Sequence, residues 1–393
     1  MPQTPMAPSA LIGAAEKLAP LLREKAREAE LARRPLDEVI DAVRESGLFS
    51  LMIPKCYGGH EADLDTFFEV ALTLSRADAS MGWLIGFYIE HGFWFCGYPE
   101  SFQKELYADA NYILAPGALN VAGGKATKVD GGYRLDGLWQ WGTGIVHADW
   151  VMAGAMVQDG DAPAMPQFFA LPASDVEAAD DTWHVSGMCG TGSWDFRIDD
   201  VFVPEIRAVS MLELMNATGE AARLHEAPLY KTPLMPVLGF AAGLPLVGAA
   251  QMALDEYRSQ TKAKLESAPV PAGGMDRNQG KPSVAARAAL DIEAAELLFR
   301  GVLADVMEQR NEATMETRSA WLTRMAHAVF MCRDAVQDIA SVTGANGSRL
   351  DNPIQRALRD ISAGSNHAIF DREMRYADYG RLLLGQPMQG MMA

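Results

Sequence analysis

Four long helical segments in the C-terminal part of the chain constrain the fold more than any other feature. Apolar residues recur at helical spacing over 237–264, 283–310, 315–343 and 352–384. Long helices that follow one another in this way are typical of a bundle, in which neighbouring helices cover one another's apolar faces. The sequence therefore predicts a C-terminal four-helix bundle over residues 223–393.

The rest of the chain follows two other patterns. Residues 1–111 carry apolar residues at helical spacing, whereas 112–222 alternate short β-forming runs with Gly-rich turns. We therefore predict an α+β chain with an N-terminal helical domain, a central antiparallel β domain and the helical bundle. The Pro- and Gly-rich loop from Ser267 to Pro282 is either a lid or a plain surface connection.

Composition excludes several classes of protein. The 393 residues carry a net charge of −17, which argues against nucleic acid or an anionic membrane surface as a partner. The four cysteines form no CxxC pair and no zinc-type cluster, so no metal site is predicted. Neither a secretory signal nor 18 consecutive apolar residues is present, and we expect a cytoplasmic protein.

Four short motifs occur in order along the chain. They are Ile-Pro-Lys-Cys-Tyr-Gly-Gly at 53–59, Trp-Gln-Trp-Gly-Thr-Gly at 139–144, Gly-Met-Cys-Gly-Thr-Gly-Ser at 187–193 and Asn-Pro-Ile-Gln-Arg-Ala-Leu-Arg-Asp at 352–360. Together they resemble motifs of the acyl-CoA dehydrogenase family. The resemblance covers nearly the whole chain and implies that family's order of helical domain, β domain and four-helix bundle. One position departs from the pattern, because Cys189 stands where the family commonly has arginine.

His367 distinguishes between branches of this family. It lies in the region where many acyl-CoA dehydrogenases place a catalytic glutamate, and the two-component flavin-dependent monooxygenases have a histidine there. The resemblance to that branch implies an oxygenase component that uses O2 and reduced FMN or FAD from a separate flavin reductase. Such an enzyme hydroxylates a small phenol- or indole-type substrate through a flavin C4a-hydroperoxide. A homotetramer is implied in the same way.

The resemblance also assigns residues to the flavin. Six residues match the family's flavin-contacting positions: Trp141, Gly142, Thr143, Thr191, Ser193 and Arg258. The hydroxyl or backbone N–H of Thr143 would contact flavin N5 and O4, and Arg258 would steady the reduced ring. Ordinary turns and a solvated helix-end charge explain the same residues without a ligand.

Residues on the substrate side are assigned in the same way. His367 is expected to act as a base or as a group that positions the peroxide, because histidine titrates near neutral pH. His91 is expected to contact substrate or relay a proton. Trp83, Phe87, His91 and Phe370 would line the pocket. Aromatic residues at helical spacing are also typical of an ordinary core.

Three alternatives stay open at this point. An acyl-CoA dehydrogenase or oxidase needs a carboxylate base, which Asp371 or Glu373 would have to supply. The second alternative is an enzyme of the same fold that oxygenates nitrogen instead of carbon. A catalytically silent protein of this fold would serve in binding or assembly and would bind neither flavin.

Overall fold

The computed structural model of this protein describes residues 5–158, 163–267 and 280–389. Five α-helices come first: α1 (Pro8–Ala32), α2 (Asp37–Ser46), α3 (Leu64–Ala77), α4 (Ala79–Phe95) and α5 (Glu100–Leu106). Every side chain of α4 is buried. This follows from its composition, since Glu90 is the one acidic residue in an otherwise apolar and aromatic helix.

The middle of the chain forms one sheet. Its strands are β1 (Gly117–Ala118), β2 (Gly124–Val129), β3 (Gly132–Gly142), β4 (Trp150–Gln158), β5 (Met165–Pro172), β6 (Glu177–Ala179), β7 (Trp194–Pro204) and β8 (Ala208–Ser210). The spatial order is β6-β7-β3-β2-β4-β5-β8, with β1 beside β4. Most pairs are antiparallel as predicted, but β4 runs parallel to β1 and β2. β3 runs antiparallel to β2 and therefore ends at the side of the sheet where β2 begins. After a short connection β4 starts from that same side, so it runs parallel to β2.

The register between β3 and β7 places two turns side by side. Gly142 at the end of β3 is paired with Trp194 at the start of β7. Behind this pair, the rings of Trp139 and Phe196 stack with their centroids 5.8 Å apart. The Trp139 indole N–H donates to the carbonyl oxygen of Gly154 at 2.9 Å. The turn after β3 therefore lies next to the turn before β7.

The C-terminal part is helical. It contains α6 (Met211–Asn216), α7 (Leu234–Ser267), α8 (Lys281–Gln309), α9 (Met315–Thr343), α10 (Pro353–Gly364) and α11 (Arg372–Leu383). The prediction of one helix over 352–384 is wrong, because the chain leaves the helical path between Gly364 and Arg372. Of the loop predicted from Ser267 to Pro282, residues 268–279 lie outside the described part of the chain.

The many small residues of α7 predict close approach of neighbouring helices or a subunit interface, and the structure shows such a close approach inside the chain. A Cβ added at Gly248 would lie 2.6 Å from the Cβ of Ser75 on α3. The segment Leu234–Glu266 is apolar and long enough to span a membrane, but 89% of its most apolar window is buried in the fold. Its glycines therefore let α3 approach α7 closely within the bundle.

Replacing Gly248 by alanine is expected to destabilise the protein by about 1–3 kcal/mol, because the added methyl overlaps the backbone of Ser75. Gly13→Ala on α1 is the matched control, since nothing lies within 4 Å of its added Cβ. Alanine there is expected to add up to about 1 kcal/mol through helix propensity. Urea unfolding of both variants measures the difference, and equal effects would contradict the proposed close contact.

Candidate active site

One face of α4 carries three rings in a row. The indole of Trp83 stacks on the ring of Phe87 with centroids 4.9 Å apart. Phe87 in turn meets the imidazole of His91 edge-on at 5.3 Å. Residues four apart lie on the same side of a helix, and this spacing brings these three predicted pocket residues together.

The imidazole of His367 faces the same rings from the C-terminal part. Its centroid lies 5.6 Å from that of Trp83, 6.3 Å from Phe87 and 6.4 Å from Phe370. Burial lowers the pKa of His367 to about 4, although part of the side chain stays accessible, as in a pocket wall. The ring is therefore neutral at neutral pH.

His367 lies in the connection between α10 and α11. Its Nδ1 accepts a hydrogen bond from the backbone N–H of Ile369 at 3.3 Å, and the carbonyl oxygen of Ile369 accepts one from Arg375 Nε at 2.9 Å. A neutral imidazole with an accepting Nδ1 carries its proton on Nε2. This geometry favours a hydrogen-bond donor over a base, and Arg375 is a residue that sequence reasoning missed.

The two carboxylates considered as alternative bases do not join this cluster. Asp371 begins α11, and its Oδ1 accepts a hydrogen bond from the backbone N–H of Met374 at 3.0 Å. Asp371 and Glu373 are both exposed. Since a base for an acyl-CoA must face the enclosed substrate, these acids do not supply the chemistry of a dehydrogenase.

His91 is held by one hydrogen bond in the interior and lies beside a buried acid. Its Nδ1 lies 2.6 Å from the carbonyl oxygen of Ala115, so Nδ1 carries the proton and donates. Its Nε2 lies 3.4 Å from Oε2 of Glu90, whose other oxygen accepts from the Trp94 indole N–H. Burial lowers the pKa of His91 to about 4 and raises the pKa of Glu90. Sequence reasoning missed Glu90, although a lone acid in an apolar helix was a usable signal.

The turns after β3 and before β7 bring three predicted flavin residues together. Thr143 Oγ1 lies 3.0 Å from Ser193 Oγ, which lies 2.8 Å from Thr191 Oγ1. Thr191 donates in turn to the carbonyl oxygen of Met188 at 2.9 Å. Thr191 and Ser193 are buried and Thr143 is half-buried, so the row of hydroxyls runs from the surface of the site inward.

Tyr88 joins this turn to α4. Its hydroxyl donates to the carbonyl oxygen of Gly144, whose N–H donates to the carbonyl oxygen of Thr191 at 3.0 Å. Trp141, just before the turn, has a φ of 69° and is 63% exposed, and Gly142 beside it is buried. Tyr88 therefore fixes the position of the hydroxyl row relative to α4.

Arg258 lies apart from this cluster. It projects from α7 with a side chain that is 68% exposed, and its nearest carboxylate is Asp255 at 3.9 Å. Within the described part of the chain, no contact connects it to the rings of α4 or to the hydroxyl row. Its predicted role with reduced flavin stays a prediction.

The turn at Met188 is anchored on α10. Oδ1 of Asp360 accepts a hydrogen bond from the backbone N–H of Met188 at 2.6 Å. Arg33 donates to the carbonyl oxygens of Trp183 and Val185, at 2.7 Å each. Where relatives commonly have arginine, Cys189 points its thiol at Val185 O at 3.3 Å. The carbonyls of this segment are thus held by the arginine that follows α1.

Asp360→Asn is expected to remove a contribution by which stability falls as the pH rises. Burial, and then the charge of Asp78, raise the pKa of Asp360 to about 7 from the ordinary 3.8. The folded chain therefore keeps a proton that the unfolded chain loses near pH 4. As the pH rises from about 4 to about 7, this difference lowers the free energy of unfolding by at most about 4 kcal/mol.

Urea unfolding between pH 4.5 and 8 measures this effect. The free energy of unfolding of the wild type, relative to that of Asp360→Asn, should fall across that window, because asparagine cannot ionise and the buried histidines contribute equally to both proteins. Asp199→Asn, at an exposed position of β7, is the control that should keep the wild-type slope. An unchanged slope in Asp360→Asn would contradict the assignment to this buried carboxyl.

Comparison with known proteins identifies the family. Residues 12–102 match the N-terminal domain and residues 240–372 the C-terminal domain of acyl-CoA dehydrogenases. A pigment production hydroxylase of Rhodococcus sp. (strain ATCC 21145) is 35% identical over 382 residues, which is 94% of this chain and 95% of that protein. The chain belongs to the acyl-CoA dehydrogenase family.

Further relatives define the branch. The FADH2-dependent resorcinol hydroxylase, oxygenase component, of Rhizobium sp. (strain MTP-10005) is 31% identical, covering 97% of this chain and 95% of its own. The crystal structure of 3-HSA hydroxylase from Rhodococcus sp. RHA1 superposes with a TM-score of 0.92 at 28% identity, over 98% of this chain and 99% of that one. The predicted fold class and the predicted flavin-dependent monooxygenase are confirmed.

Proposed function

We propose that this protein hydroxylates a small aromatic compound, using O2 and reduced FMN or FAD supplied by a separate reductase. The observation that carries the proposal is the neutral imidazole of His367, which lies against Trp83 and Phe87 where the family's dehydrogenases need a carboxylate. A planar aromatic substrate fits such a wall of rings through edge and face contacts. The oxygenase component from Rhizobium, which acts on resorcinol, supports the same class.

The residues of the hydroxyl row suit a flavin. Thr143 offers a half-buried hydroxyl in the turn that Tyr88 joins to α4, and Gly142 and Gly144 keep the backbone beside it free of side chains. When bound, reduced flavin supplies the two electrons with which one atom of O2 enters the ring and the other becomes water. The chain's own task is to orient the substrate, to donate from His367 Nε2 and to exclude water.

An isotope experiment tests this function. The protein is mixed anaerobically with reduced FMN or FAD and with phenol, resorcinol, p-hydroxyphenylacetate or indole-3-acetate, and 18O2 is then admitted. We expect one 18O atom in a ring-hydroxylated product from at least one compound. Formation of hydrogen peroxide alone, together with bleaching of bound oxidised FAD by an acyl-CoA, would instead support a dehydrogenase.

We also propose a cytoplasmic homotetramer. Leu290 and Leu297, seven residues apart on α8, are 65% and 62% exposed in the single chain, and a second copy would cover them. Light scattering of the purified protein should give four times the mass of the chain. Leu297→Glu is expected to lower that mass, and a monomeric wild type would contradict the proposal.

A further inference from the structure

The three hydroxyls at the β3 and β7 turns form a row with a closed inner end. Thr143, Ser193 and Thr191 follow one another at 3.0 and 2.8 Å, and the row ends 2.9 Å from the carbonyl oxygen of Met188. Thr191 and Ser193 are 1% and 3% exposed, so solvent cannot replace either partner. The row therefore has one end inside the protein and one end at the candidate site.

The inner end sets the direction of every hydrogen bond in the row. A carbonyl oxygen only accepts, so the proton between Met188 and Thr191 comes from Thr191. A hydroxyl has one proton, and Ser193 must therefore donate to Thr191. By the same reasoning, Thr143 donates to Ser193.

The opposite direction is less favourable. If Thr191 donated to Ser193 instead, its oxygen would face the Met188 carbonyl oxygen at 2.9 Å without a proton between them. The row would also lose one of its three hydrogen bonds, inside the protein where such a loss is costly. Thr143 consequently presents only lone pairs to the site.

This direction matters for the redox state of the ligand. Reduced flavin has an N–H at N5 and is a donor there, whereas N5 of oxidised flavin is an acceptor with no proton. We propose that the Thr143–Ser193–Thr191 row makes the site select reduced over oxidised flavin, with Ser193 and Thr191 as positioning residues that act through Thr143. The inference rests on the proposed function and on the contact of Thr143 with flavin N5 that the family resemblance implies.

The expected size follows from the cost of a mismatched hydrogen bond. An acceptor that faces another acceptor in a desolvated site loses about 10-fold to 100-fold in affinity relative to a matched pair. A purely structural row makes a different prediction. Its disruption would weaken both redox states of the flavin by the same factor.

Thr191→Val and Ser193→Ala test the proposal, because each breaks the row while leaving the Thr143 hydroxyl in place. Thr143 is then free to turn its proton toward the ligand. Dissociation constants of oxidised and dithionite-reduced FMN and FAD are measured anaerobically by equilibrium ultrafiltration. We expect the preference for reduced flavin to fall by about tenfold in both variants, mainly because oxidised flavin binds more tightly.

Two further variants complete the design. Thr191→Ser keeps the hydroxyl and should keep the wild-type preference for reduced flavin. Thr143→Val should weaken the binding of reduced flavin without strengthening the binding of oxidised flavin. Equal loss for both redox states in Thr191→Val and Ser193→Ala would overturn the inference and leave the proposed function standing. A wild-type protein that binds neither flavin would overturn both.

Discussion

His367→Asn is expected to lower product formation by about 100-fold or more, while reduced flavin still binds and is still oxidised by O2. The oxygen of asparagine can replace Nδ1 as the acceptor for the N–H of Ile369, so the loop should keep its shape. What the variant lacks is the Nε2–H donor beside Trp83 and Phe87. Losses of about this size are usual when a positioned hydrogen-bond donor is removed from an active site.

The measurement is the ratio of hydroxylated product to hydrogen peroxide per reduced flavin consumed. In His367→Asn this ratio should collapse toward peroxide. His327→Asn is the matched control, because His327 is an exposed histidine on α9 whose Nδ1 contacts the Tyr376 hydroxyl at 2.8 Å. Product formation within threefold of the wild type in His367→Asn would show that the imidazole has no part in the reaction.

Gly144→Ala should be the most damaging single substitution in the turn. Gly144 has a φ of 73°, and an added Cβ would overlap the hydroxyl of Tyr88 and a methyl group of Leu84. We expect a loss of about 2–4 kcal/mol in stability from strain and overlap together. Displacement of the neighbouring Thr143 should also weaken the binding of reduced flavin by about tenfold or more.

Gly131→Ala separates the two causes. Gly131, in the turn between β2 and β3, has nearly the same φ of 74°, but nothing lies within 4 Å of its added Cβ. It should lose only the backbone strain of about 1–2 kcal/mol and keep its flavin affinity. If the two variants lose the same stability and bind flavin equally, the contact of Gly144 with Tyr88 does not hold the turn.

Local spacing was sufficient to predict part of the candidate site. Trp83, Phe87 and His91 are four residues apart in a segment with continuous helical character, and helical geometry alone places them in a row. His91 was assigned to the pocket from sequence, but its contact with Glu90, the acidic residue that precedes it on α4, was not considered. The spacing from Glu90 to Trp94 is one helical turn, so the contact was available from sequence.

The break that carries His367 was not predictable from periodicity. Ala368, Ile369 and Phe370 continue an apolar pattern that looks helical, and no proline or paired glycines interrupt it. α10 ends at Gly364, and the connection after it is held by Arg333 of α9, which donates to the Ser365 hydroxyl at 3.2 Å, and by the hydrogen bond from Arg375 to the carbonyl oxygen of Ile369. Such contacts override local propensity.

Contacts between distant segments were also beyond the sequence. The pairing of Thr143 with Ser193 depends on the register of β3 and β7, which shifts between Trp139 and Gly142. An irregularity of this kind has no periodic signature. The bond from Met188 to Asp360 joins residues 172 positions apart, and only the folded chain brings them together.

The two walls of this site come from different parts of the chain. Thr143, Thr191 and Ser193 stand in turns that flank strands of the sheet, while Trp83 and Phe87 stand on a helix. If the proposed roles hold, substitutions on α4 should alter the choice of aromatic compound, whereas the turns beside the sheet, which come from another part of the chain, should keep their hold on the coenzyme.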